Sequence, residues 1–492
     1  MLFPYPQDTR GGARSLLKLF VVCLLAGLIT TAISVLTLSL IYTNTATVLK
    51  EIPIQDNTVP SQLPLDIKFQ FLYHMSKSKV SSSPSVTIQT IPLHGSETIE
   101  CQNPILIDGI LKEKVKEKVV LLFFPFCSTI QTTILVSQAH VYPGGEIRWA
   151  GSMPDSNQYN EAMEFGESLR KHQSKMSFAT LRIRARGLRV PHWHFNANEH
   201  GYVQQGTAWI GVIDTDTAGV TTYNVTAGQV VFFPRNTVHW IKNVGEEDCV
   251  FLLFFGTHDE VKTLDVDDAF FSTPEDIVAR ALKPHGGLSF IRTFQKAAED
   301  QAVNLPPNLG ELVHSADYAQ SADDHVWRYF YDLGGSMEHP FPGGGFHWAR
   351  YRANESELSE TERIYSRSIH KHEDALTLAT LRIFSNELGQ PHFHFNANEL
   401  GYVISGCGRA GLITQSGRAI HFNVAIGDVV FFPVGTQHYL KSVCDEDLLL
   451  LLAYSTGNQL ETLRMNEYFV ATADHILAQL FQKDQDEFQR FS

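Results

Sequence analysis

Apolar positions fall into three regimes along the chain. From Leu19 to Tyr42 they form one run with no charged residue, LFVVCLLAGLITTAISVLTLSLIY. A helix of that length crosses a bilayer. Arg10, Arg14 and Lys18 precede it, so the positive-inside rule keeps the N-terminus cytoplasmic. A cleaved signal peptide has a shorter apolar core and a small-residue cleavage site, and no convincing site is present, so the run predicts an uncleaved anchor. From 43 to 140 the pattern is irregular. SKSKVSSSPS reads as a flexible linker, KEKVKEK as a solvated helix face, and VVLLFFPF as a strand too short to span a membrane. No function is assigned to this region. Beyond it, short apolar segments recur: ATLRIRA, YVQQGTAWIGVI, TTYNVTAG, QVVFFP and CVFLLFF, broken by Gly, Pro or Asn. Many short strands with turn signals predict a closed barrel or jelly roll. STPEDIVARAL then reads as a helix with a Ser or Thr cap, Pro274 in its first turn and Glu275 and Asp276 near its start. NEYFVATADHILAQLF reads the same way near the C-terminus.

The strand pattern occurs twice. PGGEIRWA at Pro143 matches PGGGFHWA at Pro342, and ATLRI at Ala179 recurs at Ala379. GQVVFFPRNTVHW at Gly228 recurs as GDVVFFPVGTQHY at Gly427. The constant offset predicts two homologous, mainly β domains in tandem. The expected layout is a cytoplasmic segment 1–18, a transmembrane helix 19–42, a membrane-proximal region 43–140, and two barrels with short helical segments at 141–320 and 321–492.

Composition narrows the function classes. The chain has 492 residues, 43% hydrophobic and 19% charged, which fits globular domains rather than disorder. A net charge of −14 disfavours nucleic acid as a partner. An anionic substrate then needs local positive charge. The six cysteines include no CxxC pair, so thiolate metal sites are not expected. Cys101–Cys127 is a candidate bridge. Asn224-Val-Thr226 and Asn354-Glu-Ser356 fit the glycosylation pattern in a host that modifies exported proteins.

PHWHFNANEHGYV begins at Pro191 and PHFHFNANELGYV at Pro391. In a strand, His192 and His194 point to one face. Glu199 follows beyond a turn, and His239 comes later, after QVVFFP. A barrel brings these side chains together from neighbouring strands. The second copy supplies His392, His394, Glu399 and His438. Three imidazoles and one carboxylate leave a six-coordinate cation two open positions. That donor set suits manganese or iron, with zinc, copper or nickel as alternatives. A single HxH is common on surface loops, but four donor positions repeated in two domains argue for chemistry. His200 is absent from the second copy and reads as a partner-facing or surface residue. Asn196 and Asn198 read as makers of turn hydrogen bonds.

These residues resemble the two motifs of the cupin superfamily. HxH, Glu199 and Gly206 match the first; Gly228, Pro234, Asn236, His239 and Asn243 match the second, with Asn236 where glycine is common. In the second copy Gly427, Pro433, Gly435 and His438 match, with Ser442 in place of Asn. Over about 350 residues the tandem is similar to the oxalate decarboxylase family. That resemblance implies manganese, a small carboxylate substrate, dioxygen as co-catalyst, and a trimer or trimer-based homo-oligomer. It also implies conversion of oxalate to formate and carbon dioxide, with an arginine beside the metal and a glutamate on a lid. Arg189 and Glu260 occupy those places in the first copy, although the segment GTHDEVKT departs from the family's Ser- and Asn-rich lid. Gly389 and Gln459 occupy them in the second, with Glu461 close by. The expectation is a membrane-anchored metalloenzyme, catalytic in its first domain, facing the periplasm, a lumen or the cell exterior. Oxalate oxidation, another small-acid oxygenation, and non-enzymatic carboxylate binding are the alternatives.

Overall fold

The computed structural model describes residues 98–101, 129–151, 161–215, 218–298, 301–305, 321, 323–349 and 358–491. The expected transmembrane helix and Cys127 lie outside them, as does most of the membrane-proximal region. Among the described residues, no helix is long and apolar enough to cross a membrane.

Each repeat closes as two facing sheets. In the first barrel one sheet runs Val230–Phe233, Glu199–Gln205, Cys249–Phe255, Ser177–Ile183, Gly145–Ala150, Ala139–Tyr142. The opposing sheet runs Thr263–Asp265, Leu188–His194, His239–Asn243, Thr207–Ile213, Val220–Thr226. The second barrel repeats the plan, with Leu388–His394 between Thr462–Arg464 and His438–Ser442, and Glu399–Ser405 between Leu448–Tyr454 and Asp428–Phe432. YVQQGTAWIGVI is two strands, broken at Gly206, whose φ of 85° only glycine adopts freely. Asn236 (φ 64°) and Gly435 (φ 73°) occupy the same left-handed turn, which explains why Asn stands where the motif favours glycine.

Sheet pairing crosses the domain limits expected from the repeat. Gln131–Thr133 pairs with Asp428–Phe432 of the second barrel. Phe330–Tyr331, beyond residue 320, pairs with Val230–Val231 of the first. Each barrel therefore takes an edge strand from chain lying outside its own repeat.

The apolar run CVFLLFF is buried on both faces for a specific reason. Phe251, Leu253 and Phe255 fill the first barrel, whereas Leu252 and Phe254 face a core shared by the two barrels. LLLLLAY divides likewise, with Leu450, Leu452 and Tyr454 inside its own barrel and Leu451 and Ala453 in the shared core. Phe178 stacks on Tyr402 across that boundary at 5.2 Å between centroids. Two amphipathic helices not anticipated from sequence, Glu161–Lys171 and Glu360–Lys371, contribute Phe165, Leu169, Tyr365 and Ile369 to it.

The expectation that His200 faces a partner or the surface is corrected here. His200 is fully buried: it lies in this interface, accepts a hydrogen bond from the Leu376 N–H at 3.0 Å and packs on Phe232. Its counterpart is the buried Leu400. Asn198 does more than shape a turn. It donates to the Glu373 carbonyl at 2.6 Å, and Asn398 reciprocates on the Ser174 carbonyl at 3.3 Å. Part of the repeated FNAN motif thus joins the barrels. The helical segment also differs from expectation. Thr273 does not cap Glu275–Leu282; its hydroxyl bonds the Ala269 carbonyl and closes the preceding helix, Val266–Ser272.

Burial pushes the His200 imidazole down to about 3, with the nearby His372 adding to the effect against the pull of Glu199. An unfolded chain protonates His200 near its ordinary value of about 6.5, whereas the folded chain resists until about 3. Stability is therefore held above that window and lost as pH falls through it. His200→Leu is expected to remove about one proton from the uptake on unfolding between those pH values. Chemical denaturation across pH 4–7 measures it, and an unchanged pH slope would refute the assignment.

Candidate metal centres

The histidines come from one sheet and the glutamate from the other. His192 and His239 face each other across paired strands, and Glu199 reaches them from the opposing sheet beside Phe255. One donor atom from each of His192, His194, Glu199 and His239 lies within 4.8 Å of the others, and all four side chains are buried. His392, His394, Glu399 and His438 form the matching group, with His392 partly exposed.

Hydrogen bonds fix the ring orientations. His192 Nδ1 lies 2.8 Å from the Val190 carbonyl, and His239 Nδ1 lies 2.8 Å from that of Thr237. A carbonyl only accepts, so each Nδ1 donates and each neutral ring turns an Nε2 lone pair inward. His194 Nδ1 meets the Thr263 hydroxyl at 2.9 Å. The second group copies this through Gln390, Thr436 and Thr462. Phe233 stacks on His239 at 4.1 Å, and Phe432 on His438 at 4.3 Å, holding the ring planes.

These contacts test whether a cation fits. His239 Nε2 stands 3.2 Å from Glu199 Oε2, and His438 Nε2 stands 3.2 Å from Glu399 Oε2. A lone pair facing a carboxylate oxygen is repulsive unless a proton or a cation lies between them. Protonation is disfavoured at His192 and His392. Burial drives His192 well below the ordinary histidine value, helped by Arg189, and drives His392 down to about 3. Burial raises Glu199, but the facing His194 and His239 rings outweigh it and keep the carboxylate ionised. The donor set fits a divalent ion with open positions. Thr263→Val removes the partner of His194 Nδ1 and is expected to weaken metal affinity in the first barrel by roughly 10–100-fold, read by chelator competition. An unchanged affinity would contradict the orienting role.

The surroundings of the two groups differ. In the first barrel Arg189 reaches the cluster, together lining a pocket of about 40 Å³ with Trp149, Phe255, Thr263 and Gln301. Arg189 Nη1 pairs with Asp265 at 3.1 Å and also donates to the Gln301 carbonyl at 3.0 Å. Only 5% of the Arg189 side chain and 3% of that of Asp265 are exposed. Glu260 is not in this pocket. It is exposed in an adjoining cleft of about 400 Å³, which shares Trp149, Thr263 and Gln301 with it. Asn196 holds the Glu260 carbonyl at 2.8 Å, and Asn396 holds that of Gln459 the same way. Thr263, Asp265, Gln301 and Arg464 were missed by sequence reasoning. Thr263 and Thr462 share the 199-residue offset, the one signal that marked them.

Comparison with known proteins places the chain among related folds. The Cupin family model matches residues 165–286 and 352–487. A CLLAC-motif containing domain matches 13–42. The chain is 26% identical over 282 residues to the oxalate decarboxylase OxdC of Bacillus subtilis (strain 168), covering 56% of this chain and 66% of that protein. The match thus spans just under two thirds of that relative's length. A 147-residue stretch is 31% identical to legumin type B of Vicia faba, covering 30% of this chain and 28% of the legumin. A Bacillus subtilis oxalate decarboxylase structure, whose Mn(II) centres were studied by EPR, superposes with a TM-score of 0.58. It has 18% identity and covers 74% of this chain and 86% of that one.

Proposed function

The chain belongs to the cupin family, as a bicupin resembling the oxalate decarboxylases, and on that premise we propose that its first barrel decarboxylates oxalate to formate and carbon dioxide with manganese. The observation that carries this reading is a buried arginine, Arg189, lining a small pocket with His192, His194 and Glu199, three of the four donors that His239 completes. A divalent ion held by those four residues supplies charge neutralisation and open coordination positions for a dicarboxylate. Arg189 offers guanidinium donors beyond the Nη1 held by Asp265. Trp149, Leu181, Leu253 and Phe255 line the pocket and exclude water, which strengthens those interactions. The reaction breaks the oxalate C–C bond, releases carbon dioxide and delivers one proton to the carbon that becomes formate. Glu260 is the proposed proton carrier, on the segment between the last large barrel strand and Thr263. Its side chain has to move from the adjoining cleft to reach the pocket.

The test is direct. Purified protein loaded with manganese and supplied with oxalate and dioxygen at mildly acidic pH is expected to yield formate. Full metal loading with neither formate nor oxalate loss would sink the reading. Hydrogen peroxide in place of formate would assign oxalate oxidation instead.

Location and assembly belong to the same proposal. The barrels lie outside the cytoplasm behind an N-terminal anchor at 19–42. The Cys407–Cys444 disulfide supports this, because such bonds persist in oxidising compartments. A trimer forms through the helical segments. Supporting it, Ile277, Leu282 and Phe290 after the first barrel and Val470, Leu480 and Phe481 after the second are large exposed apolar residues.

A further inference from the structure

The second barrel keeps the frame of the first and changes what surrounds it. Arg189 and Asp265 sit on adjacent strands in the first barrel, with Asp265 opposite His192. In the second, Gly389 takes the place of Arg189, and Arg464 takes the place of Asp265, opposite His392. The cation beside the cluster is thus retained but comes from the other strand. Ala302–Val303 covers Leu188 and Arg189 in the first barrel. Among the described residues Leu388 and Gly389 pair with His438–Ser442 alone, and no second strand covers them. The result is one cavity of about 800 Å³ running from His392, His394 and Glu399 past Arg464 to the surface. Its walls include Phe341, Phe346, Trp348, Leu388, Leu440 and Leu452.

Charge and volume together define the occupant. Arg464 Nη1 pairs with Glu467 at 3.0 Å, but their side chains are 49% and 41% exposed, unlike the nearly sealed Arg189–Asp265 pair. An exposed pair of this kind is weak and rearranges readily. The guanidinium is therefore accessible to an anion entering the cavity. Oxalate would leave most of the cavity filled with water against aromatic walls. A volume of this size is that of a site for an organic molecule with an apolar body.

We propose that the second barrel is a separate binding site for a carboxylate with an aromatic-sized apolar body. Its carboxylate lies between Arg464 and the His392–His394–Glu399–His438 cluster, and its body lies against Phe346 and Trp348. This goes beyond oxalate chemistry in the first barrel and stands or falls separately, because it is read by binding rather than turnover.

The probe is 3-phenylpropionate, titrated into the purified full chain by calorimetry and by tryptophan fluorescence, to which Trp348 contributes as one of six tryptophans. Saturable binding at one site is expected. The neutral 3-phenylpropionamide is expected to bind at least roughly tenfold more weakly, the size of a lost charge-assisted hydrogen bond. Arg464→Gln is expected to weaken 3-phenylpropionate by a similar factor, and Arg464→Lys to restore part of it. No saturable binding at millimolar concentrations overturns the proposal. So does acid binding that Arg464→Gln leaves unchanged, or equal binding of acid and amide.

Discussion

Glu199→Gln is expected to reduce bound metal from two equivalents per chain to one and to abolish formate production from oxalate. Glu199 is the only carboxylate in its donor group, buried and facing the Nε2 atoms of His194 and His239. Removing its charge leaves the cation poorly compensated in a site that water barely reaches. Breaking a buried charge pair costs about 3–5 kcal/mol, roughly two to four orders of magnitude in affinity. Glu399→Gln is expected to remove the other equivalent, and the double variant to carry none. Metal analysis after exhaustive dialysis reads all three. Two equivalents retained by Glu199→Gln would refute the assignment of Glu199 as a ligand.

The second large effect concerns stability. Cys407 and Cys444 close a loop with a sequence separation of 37 in the second barrel, with Cα atoms 5.6 Å apart. On chain-entropy grounds a loop of this length is stabilised by about 4 kcal/mol. The first barrel ties the same corner differently. Asn243, fully buried, donates one amide N–H to the Glu247 carbonyl, shares the other between the Ile183 and Arg184 carbonyls, and accepts from the Gly245 N–H. In the second barrel Ser442 makes a single 3.2 Å bond to the Glu446 carbonyl, and the disulfide adds the covalent tie. A Cys407→Ser, Cys444→Ser double variant is therefore expected to lose most of that stabilisation in denaturant, and reduction of the wild type to mimic it. Loss below about 1 kcal/mol would show that the corner holds without the covalent link.

The buried thiol of Cys249 behaves differently. Burial pushes it up to about 12, so it remains a protonated part of the first barrel's core. The pairing of Cys407 with Cys444 was invisible in the sequence, where the two are scattered among unrelated positions. The closeness of their strands arises only when the barrel closes.

What the sequence determined was set by period and repetition. Two copies of PHxHFNANExGYV, followed by Gly, Pro and His at matching offsets, were enough to indicate two barrels and two groups of four donors. The reason is local. Alternation in a strand places His192 and His194 on one face whatever lies around them. The turn that needs a left-handed residue selects Asn236 or Gly435. Tertiary structure decided everything that depends on which strands become neighbours. It put Glu199 across the barrel from the histidines, sealed Arg189 against Asp265, and left Glu260 in the next cleft. It turned Asn198 and His200 toward the other barrel. It also showed that Gly389 does not leave the second cluster without a cation, because Arg464 occupies the register position opposite His392. Position along the chain carries no information about that pairing, since residues 72 apart meet only through the sheet. The quoted motif therefore announced the donor groups, and the strands beside it determined what each group is built to receive.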